Sequence, residues 1–363
     1  MPRLFRNLNG LVLAVGFACN TTCCWAQQAG NKGLPVVWVL STGGTIAGAG
    51  ASPVNVAEYK SGTILGEELV RAVPEIKQFA DVKVQQIINV GSPRLKLEDL
   101  LTLANGINGI FANDPDVAGV VVTHGTNTLE ETAFFLNLTI KYDRPVILVG
   151  SMRPSTALSA DGPLNLLNAI RTAISPEARG KGVLVVMNDE INGARDVTKT
   201  NTYRVETFRS PDLGYLGYVD EDKVSFYRAS TKRHTVNSEF DVSSIHEFPK
   251  VDILYSYVEP NVVTIQALQT SGVKGIVFAG TGAGGLSDLE RDAMKAILSS
   301  GTKPVVVRSS RTGTGRVIAR KEYDELGYVA ADNLNPQKSR ILLMLALSRT
   351  SDVKEIRRMF AEY

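Results

Sequence analysis

The chain has 363 residues, 44% of them hydrophobic and 21% charged, a globular composition that excludes a disordered or collagen-like protein. A formal net charge of +2 excludes the strongly basic surface of a general nucleic-acid binder. Three His and three Cys are too few for a zinc cluster, and after the N-terminus no apolar run reaches the ~18 residues of a membrane span.

The chain opens with Arg3 and Arg6, then the apolar stretch Leu11–Ala18, then small and polar residues up to Ala26. This order predicts a secretory signal peptide over 1–26, cleaved after Ala26. Cleavage removes two Arg and no acid, so the mature net charge becomes +2 − 2 = 0. It also removes Cys19, Cys23 and Cys24, all the cysteines of the chain. The mature protein is then an exported protein without disulfides, stabilised by its core alone, and cysteine nucleophile chemistry is excluded.

Short apolar, β-rich runs follow at Pro35–Leu40, Val117–Val122, Pro145–Val149 and Gly182–Met187. Amphipathic stretches at Leu129–Leu138 and Asn165–Ile174 lie between them. Such alternation predicts a parallel sheet covered by helices on both faces. The polar segment 231–250 reads as a connection between an N-terminal domain, 27–230, and a C-terminal one, 251–363. In the latter, Val251–Tyr257, Gly275–Ala279 and Pro304–Val307 read as strands, and Val262–Thr270, Leu289–Ser299 and Lys338–Leu347 as helices. The fold class is therefore α/β, with a large, mainly parallel sheet domain and a smaller α/β domain.

Open α/β sheets bind ligands beyond the carboxyl ends of their strands. Two such ends share one character, Thr42-Gly43-Gly44-Thr45 and Thr123-His124-Gly125-Thr126-Asn127-Thr128. Each offers a hydroxyl, a glycine that admits close backbone approach, and backbone N–H donors. Two converging threonine hydroxyls suit nucleophilic attack and proton handling at a carbonyl. Taken singly, either turn reads equally as a tight connection. Neither has the spacing of a complete phosphate-binding motif. Lys199, in Arg195–Thr200, becomes a base if desolvation lowers its pKa; alone it reads as a solvated surface lysine.

The segments Thr42–Gly48 and Thr123–Thr132 resemble the two signatures of bacterial type II asparaginases and glutaminase-asparaginases. Gly150–Pro154, Ser159–Gly162, Met187–Glu190, Arg195–Lys199, Arg233–Thr235 and Leu334–Lys338 match in order, so the resemblance runs from about Pro35 to Tyr363. It implies a periplasmic hydrolase that splits the side-chain amide of a small molecule and releases ammonia. It further implies a tetramer built from intimate dimers, with no cofactor and no metal. Thr45 matches the nucleophile that forms the acyl-enzyme. Tyr59 matches the tyrosine that assists it from a mobile loop spanning Gly48–Gly62. Thr126 and Lys199 match the second threonine and its lysine, Ser92 the serine that holds the substrate carboxylate, and Gly125 and Asn127 further substrate-binding positions.

The chain departs from that family's pattern in the shell that recognises an amino acid. Asn127 stands where the family has Asp, Pro93 where it has Gln or Glu, and Ala283 where it has Asn. Glu322 aligns with the amine-binding Glu of the neighbouring subunit. Asn keeps an acceptor oxygen and loses the charge. The expectation is amide hydrolysis of L-asparagine or L-glutamine. The alternatives are an amide without a free α-ammonium, or a binding protein that has lost turnover.

Overall fold

A computed structural model describes residues 33–299 and 303–363. The expected signal peptide and its cysteines lie outside the described residues. The first strand, β1 (Val36–Gly43), is followed by a small hairpin, β2 (Ala49–Gly50) and β3 (Tyr59–Lys60). Then come α1 (Gly66–Arg71), β4 (Asp81–Val90), α2 (Leu97–Asn113), β5 (Val117–Thr123), α3 (Leu129–Thr139), β6 (Val146–Val149), α4 (Gly162–Ile174) and β7 (Val183–Met187). Shorter strands continue the chain: β8 (Glu190–Gly193), β9 (Thr198–Lys199), β10 (Phe208–Arg209), β11 (Gly217–Val219) and β12 (Val224–Phe226). No strand forms in the polar segment 231–250. Beyond it lie β13 (Val251–Tyr255), α5 (Val263–Thr270), β14 (Gly275–Gly280), α6 (Asp288–Ser299), β15 (Val305–Ser310), α7 (Lys321–Asp324), β16 (Val329–Ala330), α8 (Pro336–Leu347) and α9 (Val353–Glu362).

The large sheet runs β12-β11-β8-β7-β6-β5-β1-β4. Its β4, β1, β5, β6 and β7 are parallel. The remaining strands, β8, β11 and β12, add antiparallel, so the sheet is mixed, with a parallel body. The smaller sheet, β13-β14-β15-β16, is parallel throughout. The uniform apolar runs become the central strands because both their faces are covered. Val37 and Val39 of β1 pack with α1 and α4 on one face. Leu40 of the same strand packs with α2 and α3 on the other. That second core continues through α8 to Val277 of β14 and Val305 and Val307 of β15, so apolar packing runs from one sheet to the other without a break. A third cluster, with Phe278, Met294 and Tyr323, covers the far face of the small sheet.

Candidate active site

Three neighbouring strands, β4, β1 and β5, end at one edge of the large sheet because they are parallel. Their following segments carry Ser92, Thr45 and Thr126, all buried. From β1 the chain proceeds to β4 on one side, and from β5 to β6 on the other. The gap between β1 and β5 is therefore the switch point at which open α/β sheets bind ligands.

The two threonine turns meet through glycines. Gly43 and Gly44 take φ of +100° and +84°, a backbone that favours glycine. A Cβ on Gly44 would lie 2.3 Å from Gly125 Cα. The absence of side chains is what lets the turns touch. A Cβ on Gly125 would in turn lie 2.8 Å from Ser92 Oγ, so Gly125 joins all three segments. Among the described residues, neither the Thr45 nor the Thr126 backbone N–H has a hydrogen-bond partner.

Thr45 Oγ1 lies 2.6 Å from the Tyr59 hydroxyl. The Tyr59 ring packs over Gly48, where a Cβ would come within 2.8 Å of Tyr59 Cδ2. Tyr59 is carried on β3, whose hairpin with β2 lies inside the expected lid segment. On the other turn, Lys199 Nζ donates to Thr126 Oγ1 at 2.9 Å and to Asn127 Oδ1 at 3.0 Å. Burial holds the Lys199 ammonium below its ordinary range. Both oxygens that it reaches are neutral, so no paired carboxylate offsets the desolvation. Ser92 accepts from the Thr128 backbone N–H at 3.3 Å, and its carbonyl accepts from Thr128 Oγ1 at 3.1 Å. Pro93 follows it in a short turn over Ser92–Arg94.

Within this chain, Thr45, Tyr59, Ser92, Gly125, Thr126, Asn127 and Lys199 form one constellation. Glu322 does not join it. It lies on α7, 3.7 Å from Arg291 and 3.9 Å from Arg320 in ion pairs. Ala283 sits in the turn after β14, closed by the Thr281–Gly285 bridge.

Two supporting groups have no assigned role in the sequence expectations. His124 is fully buried. One ring nitrogen lies 2.7 Å from the Gly125 carbonyl and the other 3.0 Å from Thr132 Oγ1. Desolvation holds its pKa down at about 4, so the ring is neutral and clamps the turn without charge. Lys338, on α8, reaches under the site and donates to the carbonyls of Arg195 (2.8 Å) and Val197. These carbonyls belong to the segment that delivers Lys199. Both lie in segments that carry the resemblance, Thr123–Thr132 and Leu334–Lys338, which gives neither residue a role of its own.

Residues 36–232 match the family model described as Asparaginase, N-terminal, and residues 250–360 match the Glutaminase/Asparaginase C-terminal domain. L-asparaginase 2 of Bacillus subtilis is 50% identical over 338 residues, covering 93% of this chain and 89% of that protein. The protein named "Probable L-asparaginase periplasmic" of Haemophilus influenzae is 47% identical, covering 91% and 93%. The solved structure of "Probable Cytoplasmic L-asparaginase" from Campylobacter jejuni superposes with a TM-score of 0.87 at 49% identity, covering 90% of this chain and 99% of that one. With two family models matched in order along nearly all of the described residues, and relatives at close to half identity, the chain belongs to the asparaginase family.

Proposed function

We propose that this protein is an asparaginase-type amidohydrolase. It hydrolyses the side-chain amide of L-asparagine, and of L-glutamine to a degree that assay must set, through an acyl-enzyme on Thr45. The observation that carries this reading is the pairing of two hydroxyls with two proton-handling partners, Thr45 with Tyr59 and Thr126 with Lys199, on turns that touch. Thr45 Oγ1 attacks the amide carbon while its proton passes to the Tyr59 hydroxyl, which gives up its own proton toward the leaving nitrogen. The N–H groups of Thr45 and Thr126, without partners among the described residues, are the donors for the developing oxyanion in this reading, each typically contributing about 2.7–4 kcal/mol. The C–N bond breaks, the nitrogen leaves as ammonia, and water then attacks the Thr45 ester. The Thr126–Lys199 pair takes the proton of that water, helped by a lysine whose burial favours the neutral amine. Ser92 holds the substrate's carboxylate.

Asn127 supports a second reading. A neutral amide faces the site where an ammonium would be bound by charge. Amides whose α-nitrogen is acylated or missing are then the better substrates.

Ammonia release from purified protein beside a Thr45→Ala variant separates the readings. L-asparagine, L-glutamine and an N-acylated asparagine are supplied in parallel. Release from L-asparagine, abolished in the variant, supports the first reading. Release from the acylated amide alone supports the second, and silence on all three returns the chain to the class of binding proteins. We further propose export by residues 1–26, a two-domain division near 231–250, and assembly as a tetramer in which Glu322 faces a neighbouring subunit's site. N-terminal sequencing of the secreted protein and its mass in solution test the first and the last of these.

A further inference from the structure

The loop between β6 and α4, residues 150–161, touches both threonine turns, yet the chemistry proposed above uses none of its residues. At its base, a Cβ on Gly150 would come within 3.1 Å of Thr126 Cγ2 and 2.8 Å of the His124 carbonyl oxygen. Toward its tip, Ser155 donates twice to the Gly48 carbonyl, from its backbone N–H at 3.0 Å and from Oγ at 2.7 Å. The loop is braced between these ends. The Asp161 carboxylate accepts from the backbone N–H groups of Met152 at 2.8 Å and Arg153 at 2.9 Å, and Arg153 Nη1 donates to the Ser159 carbonyl at 2.7 Å.

Gly48 is where the chain leaves the Thr45 turn for the hairpin that carries Tyr59. Its N–H donates to the Thr45 carbonyl at 2.8 Å, and the Tyr59 ring packs over its Cα. Its carbonyl is the group that Ser155 takes, so the peptide linking nucleophile and tyrosine is gripped from outside the hairpin. A further contact is made at Gly50, which pairs with Tyr59 across the hairpin and donates from its N–H to Thr156 Oγ1 at 2.9 Å. Thr156 is exposed, so water can replace its hydroxyl, whereas Ser155 is half-buried and its bond is less readily made good by solvent.

We propose that Ser155 is a positioning residue, whose hydroxyl holds the Gly48 peptide and so seats the Tyr59 hydroxyl on Thr45. Its effect on rate rests on the proposed chemistry of the Thr45–Tyr59 pair, whereas its hold on the hairpin does not. Without that hydroxyl the hairpin pivots more freely at Gly48. Tyr59 then spends less time within the 2.6 Å reach that proton transfer from Thr45 requires.

Steady-state kinetics of the full protein, Ser155→Ala, Tyr59→Phe and the double variant, on the amide hydrolysed fastest, form a mutant cycle. Ser155→Ala is expected to lower kcat about tenfold, as loss of one hydrogen bond implies, with KM changed less and the melting temperature nearly unchanged. In the Tyr59→Phe background the same change is expected to lower kcat less than about twofold, since the hydroxyl it serves is already gone. Amide hydrogen exchange gives a readout independent of turnover: residues 48–62 are expected to exchange faster in Ser155→Ala, and α3 no faster. An equal loss of kcat in both backgrounds, or unchanged exchange over residues 48–62, overturns the proposal. Faster exchange there in a protein whose kcat ignores Tyr59→Phe would leave Ser155 as the anchor of the hairpin and remove the catalytic reading of Tyr59.

Discussion

Thr45 and Tyr59 share a hydrogen bond of 2.6 Å, so Tyr59→Phe leaves the hydroxyl in place and removes only its proton partner. Turnover should fall by about 10²–10⁴-fold, with the melting temperature nearly unchanged; an unaffected kcat would dismiss Tyr59 from the chemistry. Asn127→Asp places a carboxylate 3.0 Å from Lys199. An opposite charge favours the ammonium, so the lysine pKa rises and the acidic limb of the pH–rate profile moves to higher pH. A limb that stays put would mean that Lys199 is not the group being titrated. His124 gives a stability test. Its pKa is about 4 in the fold against 6.5 when free, so the unfolded chain binds the extra proton. Stability from this residue is full above pH 6.5 and is lost as pH falls toward 4, by an amount on the order of 3 kcal/mol. His124→Gln should be less stable at pH 7 and lose less on acidification, as read by denaturant melts at several pH values.

The strand ends impose their own test on the turns. Gly44→Ala would put a methyl group into the Gly125 backbone on a residue with φ of +84°. It should cost about 3 kcal/mol or more and remove activity with it; a folded, active variant would deny that glycine contact sets the spacing. Legibility in the sequence follows burial. β1, β5, β6 and β7 have apolar residues on both faces, so their runs are plain to read. β4 is an edge strand with alternating exposure, and its polar residues hide it, yet its end delivers Ser92. The interior of α2 holds Gly106, Gly109 and two Asn, residues of weak helix propensity. The antiparallel strands β8–β12 have two to four residues each, too short for any period to show. In α9, Ile356, Met359 and Phe360 do form a buried helical stripe, a legible signal that the chain-order expectations leave out. The threonine turns stand out in the sequence because turn chemistry is local. The lysine beneath them does not, because its role exists only once distant segments pack; the histidine clamps its own turn, to Gly125 and Thr132, and what hides its part is that burial and ring orientation are set by the fold.

Across the whole molecule, the proposed site depends on the smaller sheet even though none of its hydroxyls comes from there. Lys338 crosses from α8 to hold the segment before Lys199, and its burial lowers its pKa to about 8. Lys338→Met strands two buried carbonyls. A loss of about 2–4 kcal/mol is expected, with kcat reduced more than KM is raised; an unchanged kcat would make the contact purely structural. Residues 34–363 form one compact unit, and a single apolar core runs from α3 through α8 into the small sheet. The two segments recognised as separate family regions are therefore poor candidates for production in isolation. A fragment ending near residue 230 would bare the face of α3 around Phe134 and Phe135 to water and is expected to precipitate. Co-expressed with residues 231–363, it should recover solubility by reassembling that core. A soluble, monomeric N-terminal fragment would show instead that each half carries its own sufficient interior.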